Sequence, residues 1–167
     1  NYDGSTWATG TATPVARSAN AGAGTQNAAF AAGGVNPNAG TTLIWNGSSW
    51  STGGDMITSR YFLAGAGAVN AGLAFGGFDS SNSLTCTEEF NGSTWAAGGA
   101  LNSVGRRLPM GGGCSTSAIV FGGKNQPAGA ELSCVEQYNG TSWNTVAALN
   151  VARIAGGGTA ANQDAAS

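Results

Sequence analysis

One phrase recurs four times along this chain and limits its fold more than any other feature. It reads Tyr2-Asp3-Gly4-Ser5-Thr6-Trp7, Trp45-Asn46-Gly47-Ser48-Ser49-Trp50, Phe90-Asn91-Gly92-Ser93-Thr94-Trp95 and Tyr138-Asn139-Gly140-Thr141-Ser142-Trp143. The closing tryptophans stand 43, 45 and 48 residues apart. Two further features keep the same period. One is an apolar run ending in a glycine pair, at 28–34, 71–77 and 117–123; the other is an arginine ten or eleven residues after each tryptophan, at Arg17, Arg60, Arg106 and Arg153. Three independent features on one register define an internal repeat, and a period of this length belongs to an array of supersecondary units.

One unit reads as four short strands. After Arg60, Leu63 to Val69 is small and apolar, which suits an inner strand near a crowded axis. Val69-Asn70-Ala71 is a tight connection, Leu73 to Gly76 a second strand, and Phe78 to Ser83 a polar loop. Leu84 to Phe90 is a third strand, joined through Asn91-Gly92 to a fourth at Thr94 to Ala97. Asn-Gly between two strands predicts a type I′ hairpin with both central residues at positive φ. Four antiparallel strands per unit make one blade of a β-propeller. No amphipathic stretch of helical period competes. The fold class expected is all-β, with about four blades in this chain: a partial blade at 1–16, blades at about 17–59, 60–105 and 106–152, and a partial blade at 153–167. The chain opens inside a third strand and closes near a second. The expectation is therefore an arc of a larger propeller, with a four-bladed ring closed by its ends, or a ring shared between chains, as alternatives.

The glycine pairs Gly33-Gly34, Gly76-Gly77 and Gly122-Gly123, the aromatics Tyr2, Trp45, Phe90 and Tyr138, the tryptophan series and the arginines together resemble the kelch repeat. The resemblance covers essentially the whole chain. The Asn-Gly-Ser/Thr-x-Trp and Ala-Gly-Ala-Gly variants look like kelch arrays of phage and bacterial surface or tail-fibre proteins, which implies an extracellular or virion-surface location. Kelch propellers also include the galactose oxidase family, whose copper needs histidine. This chain has no histidine, so it carries neither that site nor a histidine-based triad. No cofactor and no metal site is expected. Asp3 to Trp7 resembles the Asp-box of sialidase-type propellers but is one residue shorter. Asn replaces Asp in the other three copies, and the arginine triad and Tyr–Glu pair of a sialidase are not assembled.

Charge narrows the partners. Eight acidic and six basic residues give a net charge of −2, which argues against nucleic acid, since that affinity comes from clustered Lys and Arg. No run of about 20 apolar residues is present for a membrane helix, and no signal peptide is apparent. Among the three cysteines, Cys86 and Cys134 are repeat-equivalent in neighbouring blades. They are expected to stay reduced as small buried hydrophobes, like Cys114, because a disulfide needs Cα atoms within about 7 Å.

Residues that repeat in every blade serve the blade. Arg17, Arg60, Arg106 and Arg153 are expected to be clamps, paired with Glu88 and Glu136 where those occur or with strand-end carbonyls, since an unpaired buried arginine is costly. Trp50, Trp95 and Trp143 are expected to be buried against neighbouring blades. Asn46, Asn91 and Asn139 are formal glycosylation acceptors that the turn already explains.

What fails to repeat is the candidate for function. The loops Val35 to Gly40, Phe78 to Ser83 and Lys124 to Ala130 vary in length and composition, and variable loops on one face of a repeat protein often bind. The reading is a non-enzymatic structural and recognition module whose partner is a glycan or protein on a cell surface, with no individual ligand-binding residue assigned. The alternatives are a carbohydrate-active enzyme working with Asp55, Asp79 and Glu131, which would need two carboxylates roughly 5–10 Å apart, and a purely architectural spacer.

Overall fold

The computed structural model describes residues 1–2, 4–35 and 40–156. Within them the chain is all-β, with twelve strands and no helix. The first sheet holds β1 (Ala21–Gly24), β2 (Ala29–Ala32), β3 (Thr42–Trp45) and β4 (Trp50–Thr52). The second holds β5 (Ala64–Ala68), β6 (Ala71–Phe75), β7 (Thr87–Phe90) and β8 (Trp95–Ala97). The third holds β9 (Met110–Cys114), β10 (Ser117–Phe121), β11 (Val135–Tyr138) and β12 (Trp143–Val146). Each is a simple antiparallel meander in chain order, the form of a propeller-like blade. Before the first blade, Tyr2 and Trp7 form a single bridge in the register of β3 and β4.

The blades meet through their first strands. β1 packs beside β5, and β5 beside β9. These strands read AGAG, AGAGA and MGGGC, and only such small side chains let three backbones converge. The core lies between blades. Ala21, Phe30, Ala32, Met56, Leu63, Ala74, Phe90 and Trp95 fill the first seam. Leu73, Phe75, Leu101, Ala118, Val120, Tyr138 and Trp143 lead the second.

The same contacts recur in both seams. Trp95 Nε1 donates to Thr42 Oγ1 at 2.8 Å, and Trp143 Nε1 to Thr87 Oγ1 at 2.9 Å. Each indole edge meets a phenylalanine of the preceding blade, Phe30 and Phe75 respectively. Each phenyl ring has its own recess: a Cβ on Gly72 would fall 2.5 Å from the Phe30 ring, and one on Gly111 about 3.0 Å from that of Phe75.

The glycine pairs hold positive φ at both residues in all three blades. That geometry turns the second N–H outward onto the next blade: Gly34 donates to Arg60 O, Gly77 to Arg106 O and Gly123 to Arg153 O, at 2.8–3.0 Å. Two residues beyond each arginine, Ala19, Phe62, Leu108 and Ala155 take φ of 54–57°. They link into a belt in which Phe62 N donates to Ala19 O, Leu108 N to Phe62 O and Ala155 N to Leu108 O.

Three sequence expectations need correction. Strand β7 begins at Thr87 rather than Leu84, because the Leu84 backbone is committed elsewhere: its N–H to Gly77 O and its carbonyl to Arg106 N. The Asn-Gly loops are not type I′ turns. Gly47, Gly92 and Gly140 have positive φ and their asparagines do not. Instead Asn46, Asn91 and Asn139 each accept two backbone N–H groups on Oδ1 and so close a four-residue loop. Lastly, Trp50 is only half-buried and Trp7 is 82% exposed. Trp50 Nε1 reaches Thr11 O at 3.2 Å, in an exposed segment, where Trp95 and Trp143 find a complete neighbouring sheet.

Candidate functional site

Three of the four repeating arginines are clamps; the fourth, Arg153, is exposed and joins the preceding blade through its backbone, whose carbonyl accepts from Gly123 N. Arg60 and Arg106 are fully buried, ion-paired to Glu88 at 2.7 Å and Glu136 at 2.6 Å within their own blades. Each carboxylate also accepts two N–H groups from the connection between blades, Ile57 and Thr58 on Glu88, Asn102 and Ser103 on Glu136. One carboxylate thus fixes both a guanidinium and the chain that joins two blades. The first blade has Leu43 where the others have glutamate, and there Arg17 donates instead to Gly33 O, Thr41 O and Thr41 Oγ1. Partial burial lowers the Arg17 pKa. These side chains are used up by the scaffold.

Cys86, Cys114 and Cys134 are free and half-buried rather than fully buried. Arg60 donates to Cys86 Sγ at 2.8 Å and Arg106 to Cys134 Sγ at 3.1 Å, so the sulfurs complete the clamps. The asparagines of the three loops are likewise occupied. Asp79 caps its own loop by accepting from Ser81 and Asn82, and these N–H groups lower its pKa. Asp55 and Glu131 are exposed. Asp3 and residues 36–39 of the first variable loop lie outside the described residues, as does the end of the last partial blade. No cluster of three metal-ligating side chains occurs among the described residues.

A cavity of about 240 Å³ lies between the first blade and the N-terminal segment, against Trp45, Trp50, Gln26, Thr25 and Thr11. Both indole N–H groups there are taken by backbone carbonyls, Gln26 O and Thr11 O. The cavity opens to solvent along this seam, since Thr11, Thr25 and Gln26 are exposed.

The variable chemistry gathers at the end of the blades where the glycine pairs lie. The residue after the clamp arginine pairs with the residue after the glycine pair in every blade: Ser18 with Val35, Tyr61 with Phe78, Arg107 with Lys124. Phe78 then bridges to Ser83, and Lys124 to Glu131. The backbone is constant and the side chains are not. In the second blade, Tyr61 lies edge-on to Phe62 and Phe78, at 5.0 and 5.6 Å between centroids. The Arg107 guanidinium lies 5.2 Å from the Phe78 centroid and donates weakly to Gln126 at 3.4 Å. The loops of adjacent blades are tied together, with Ser83 N donating to Gln126 O and Ser83 Oγ to Lys124 O. Tyr61, Phe62, Phe78, Arg107 and Lys124 are all half-buried, each with part of its surface open.

Sequence reading located the loops Phe78 to Ser83 and Lys124 to Ala130 but gave no role to Tyr61, Phe62 and Arg107. Aligning the four arginines picks out Tyr61 and Arg107, since the next position reads Ser, Tyr, Arg and Ile. No protein-family model matches the chain, and no curated protein matches it.

Proposed function

We propose that this chain is a recognition module without catalytic activity, a kelch-like propeller segment of an extracellular or virion-surface protein that binds a glycan or protein. The observation that carries the reading is the set of paired positions Ser18/Val35, Tyr61/Phe78 and Arg107/Lys124. The same backbone bridge holds each pair, yet the three differ completely in chemistry. Residues that only support a blade repeat with it, as the clamp arginines and tryptophans do. A rigid scaffold that displays aromatic and cationic side chains at fixed spacing pays little ordering entropy on binding.

The test is binding of the intact chain to panels of glycans and cell-surface proteins, alongside Tyr61→Ala and Phe78→Ala. A ligand that the wild-type chain retains and both variants lose supports the reading. A ligand held equally by all three, or no ligand in either panel, overturns it.

A further inference from the structure

The paired positions of the third blade hold an arrangement that the fold alone does not require. Arg107 and Lys124 face each other directly across an antiparallel bridge, each N–H bonded to the other's carbonyl at 2.9 and 2.8 Å. Like charges directly opposite are destabilising. They are two of only six basic residues in a chain of net charge −2, so chance placement side by side on the variable rim is uneconomical. Among the described residues no carboxylate reaches either within ion-pair distance, the pairs there being Arg60–Glu88 and Arg106–Glu136. Glu131, next to Lys124 in the ladder, is exposed. Arg107 Nε is sealed from solvent without a partner. The guanidinium is held in place by the Phe78 ring and Gln126, and beside it stands the half-open Tyr61–Phe62–Phe78 aromatic group.

From this geometry we propose an acidic-saccharide site, in which Arg107 and Lys124 take the carboxylate of a uronic- or sialic-type sugar and Tyr61 takes the apolar C–H face of its ring. The inference rests on the reading of the rim as the binding face and names the ligand class for it. A guanidinium fixed in orientation suits the fork geometry of a carboxylate. An aromatic surface beside it accepts the C–H face without a polar group being stranded. A neutral sugar would use only the aromatic half.

The probes are sialyllactose and oligogalacturonate, with lactose and maltotriose as neutral counterparts, measured by calorimetry on the intact chain. The wild-type chain should bind an acidic probe more tightly than its neutral counterpart, and added salt should weaken that preference. Arg107→Gln/Lys124→Gln should lose at least about tenfold on the acidic probe, the scale of a lost charge-assisted contact, and lose clearly less on its neutral counterpart. Glu131→Gln should tighten acidic binding, a gain that a variant with damaged folding cannot give. If wild type binds neutral and acidic sugars equally, and the double variant changes neither, the acidic-saccharide site is wrong while the rim reading stands, provided Tyr61→Ala abolishes both. If Tyr61→Ala also changes nothing, both readings fail. Absence of binding to every probe overturns the acidic-saccharide site and leaves the rim to be judged on the protein panel.

Discussion

Trp95 of the second blade donates its indole N–H to Thr42 Oγ1 of the first at 2.8 Å, and both residues are buried. The bond ties a fourth strand to the third strand of the blade before it, and Trp143 with Thr87 repeats it one blade on. Thr42→Val keeps the shape and strands the indole donor, which should cost about 1–3 kcal/mol. Trp95→Ala also removes the ring from Phe30 and Phe90 and should cost about 3–5 kcal/mol. Trp50→Ala should cost clearly less than Trp95→Ala, since Trp50 is half-exposed. Denaturant midpoints of the three variants check this ranking. Equal losses at Trp50 and Trp95 would mean that burial does not set the strength of the seam.

Glu88 sits at the convergence of Arg60 and two backbone donors, and it is 2% exposed. Removing one partner of such a pair leaves a buried charge and typically costs about 3–5 kcal/mol. Glu88→Leu copies what the first blade has at Leu43, yet it should be severely destabilising, because Arg60 is sealed and Arg17 is not. Arg60→Met together with Glu88→Leu should recover much of the loss. Equilibrium unfolding of the two variants decides it, and a double variant no more stable than Glu88→Leu would refute the argument.

The repeat made the four-stranded unit, strand order and the clamp legible, because each rests on residue types that recur: glycine pairs at positive φ, arginine opposite glutamate, tryptophan at a fixed offset. Where the sequence misled, a backbone property carried the structure. The belt through Ala19, Phe62, Leu108 and Ala155 uses left-handed residues that are not glycine, a conformation that composition does not advertise and that neighbouring contacts must sustain. The Asn-Gly loops were misread for a related reason: the asparagine side chain, rather than a second positive φ, closes the turn. On the candidate rim, Phe78 and Lys124 were visible as loop residues, but Tyr61 and Arg107 sit in the run before a strand, where no turn chemistry marks them.

Gly72 supplies the recess for Phe30, and its φ is ordinary, so the requirement there is space alone. Gly72→Ala should destabilise by about 1–3 kcal/mol through overpacking. Adding Phe30→Leu should relieve the clash and leave the double variant less impaired than the sum of the single changes. A thermodynamic cycle over the four proteins gives the coupling directly. Strict additivity would show that the ring and the glycine do not touch.

The thiols should differ in reactivity. Burial pushes the Cys86 pKa up, against the opposing pull of Arg60. At Cys114 partial burial also raises the pKa, but hydrogen bonds from Thr116 and Ser117 outweigh it and the net direction is down. The thiolate is the reactive form, so a neutral alkylating reagent should modify Cys114 before Cys86 in the folded chain and lose that preference in denaturant. Peptide mass mapping over a time course reads the order. Faster labelling of Cys86 would contradict the burial of the clamp.

Tyr138 should make the fold sensitive to alkali. Its ring is buried in the seam between the second and third blades, and its hydroxyl donates to Glu89 Oε1 at 2.6 Å. Burial, the hydrogen bond to Glu89 and the charge of that carboxylate raise its pKa from 10.0 to about 12. Below the ordinary tyrosine value the phenol is protonated in both folded and unfolded chains, and its contribution is constant. Above that value the unfolded chain releases the proton while the folded chain keeps it. The folded state then binds more protons, so stability falls as pH rises. The window runs from about 10 to about 12. The first seam is built without this group, since Phe90 and Ile44 stand where Tyr138 and Glu89 stand in the second. Tyr138→Phe should therefore flatten the alkaline slope, and by losing the hydrogen bond it should cost about 1–2 kcal/mol at neutral pH. Denaturant unfolding of both proteins across that pH range measures slope and offset together. An unchanged slope in Tyr138→Phe would mean that the phenol ionises with its surroundings already open to water, and that the second seam is looser than its packing shows.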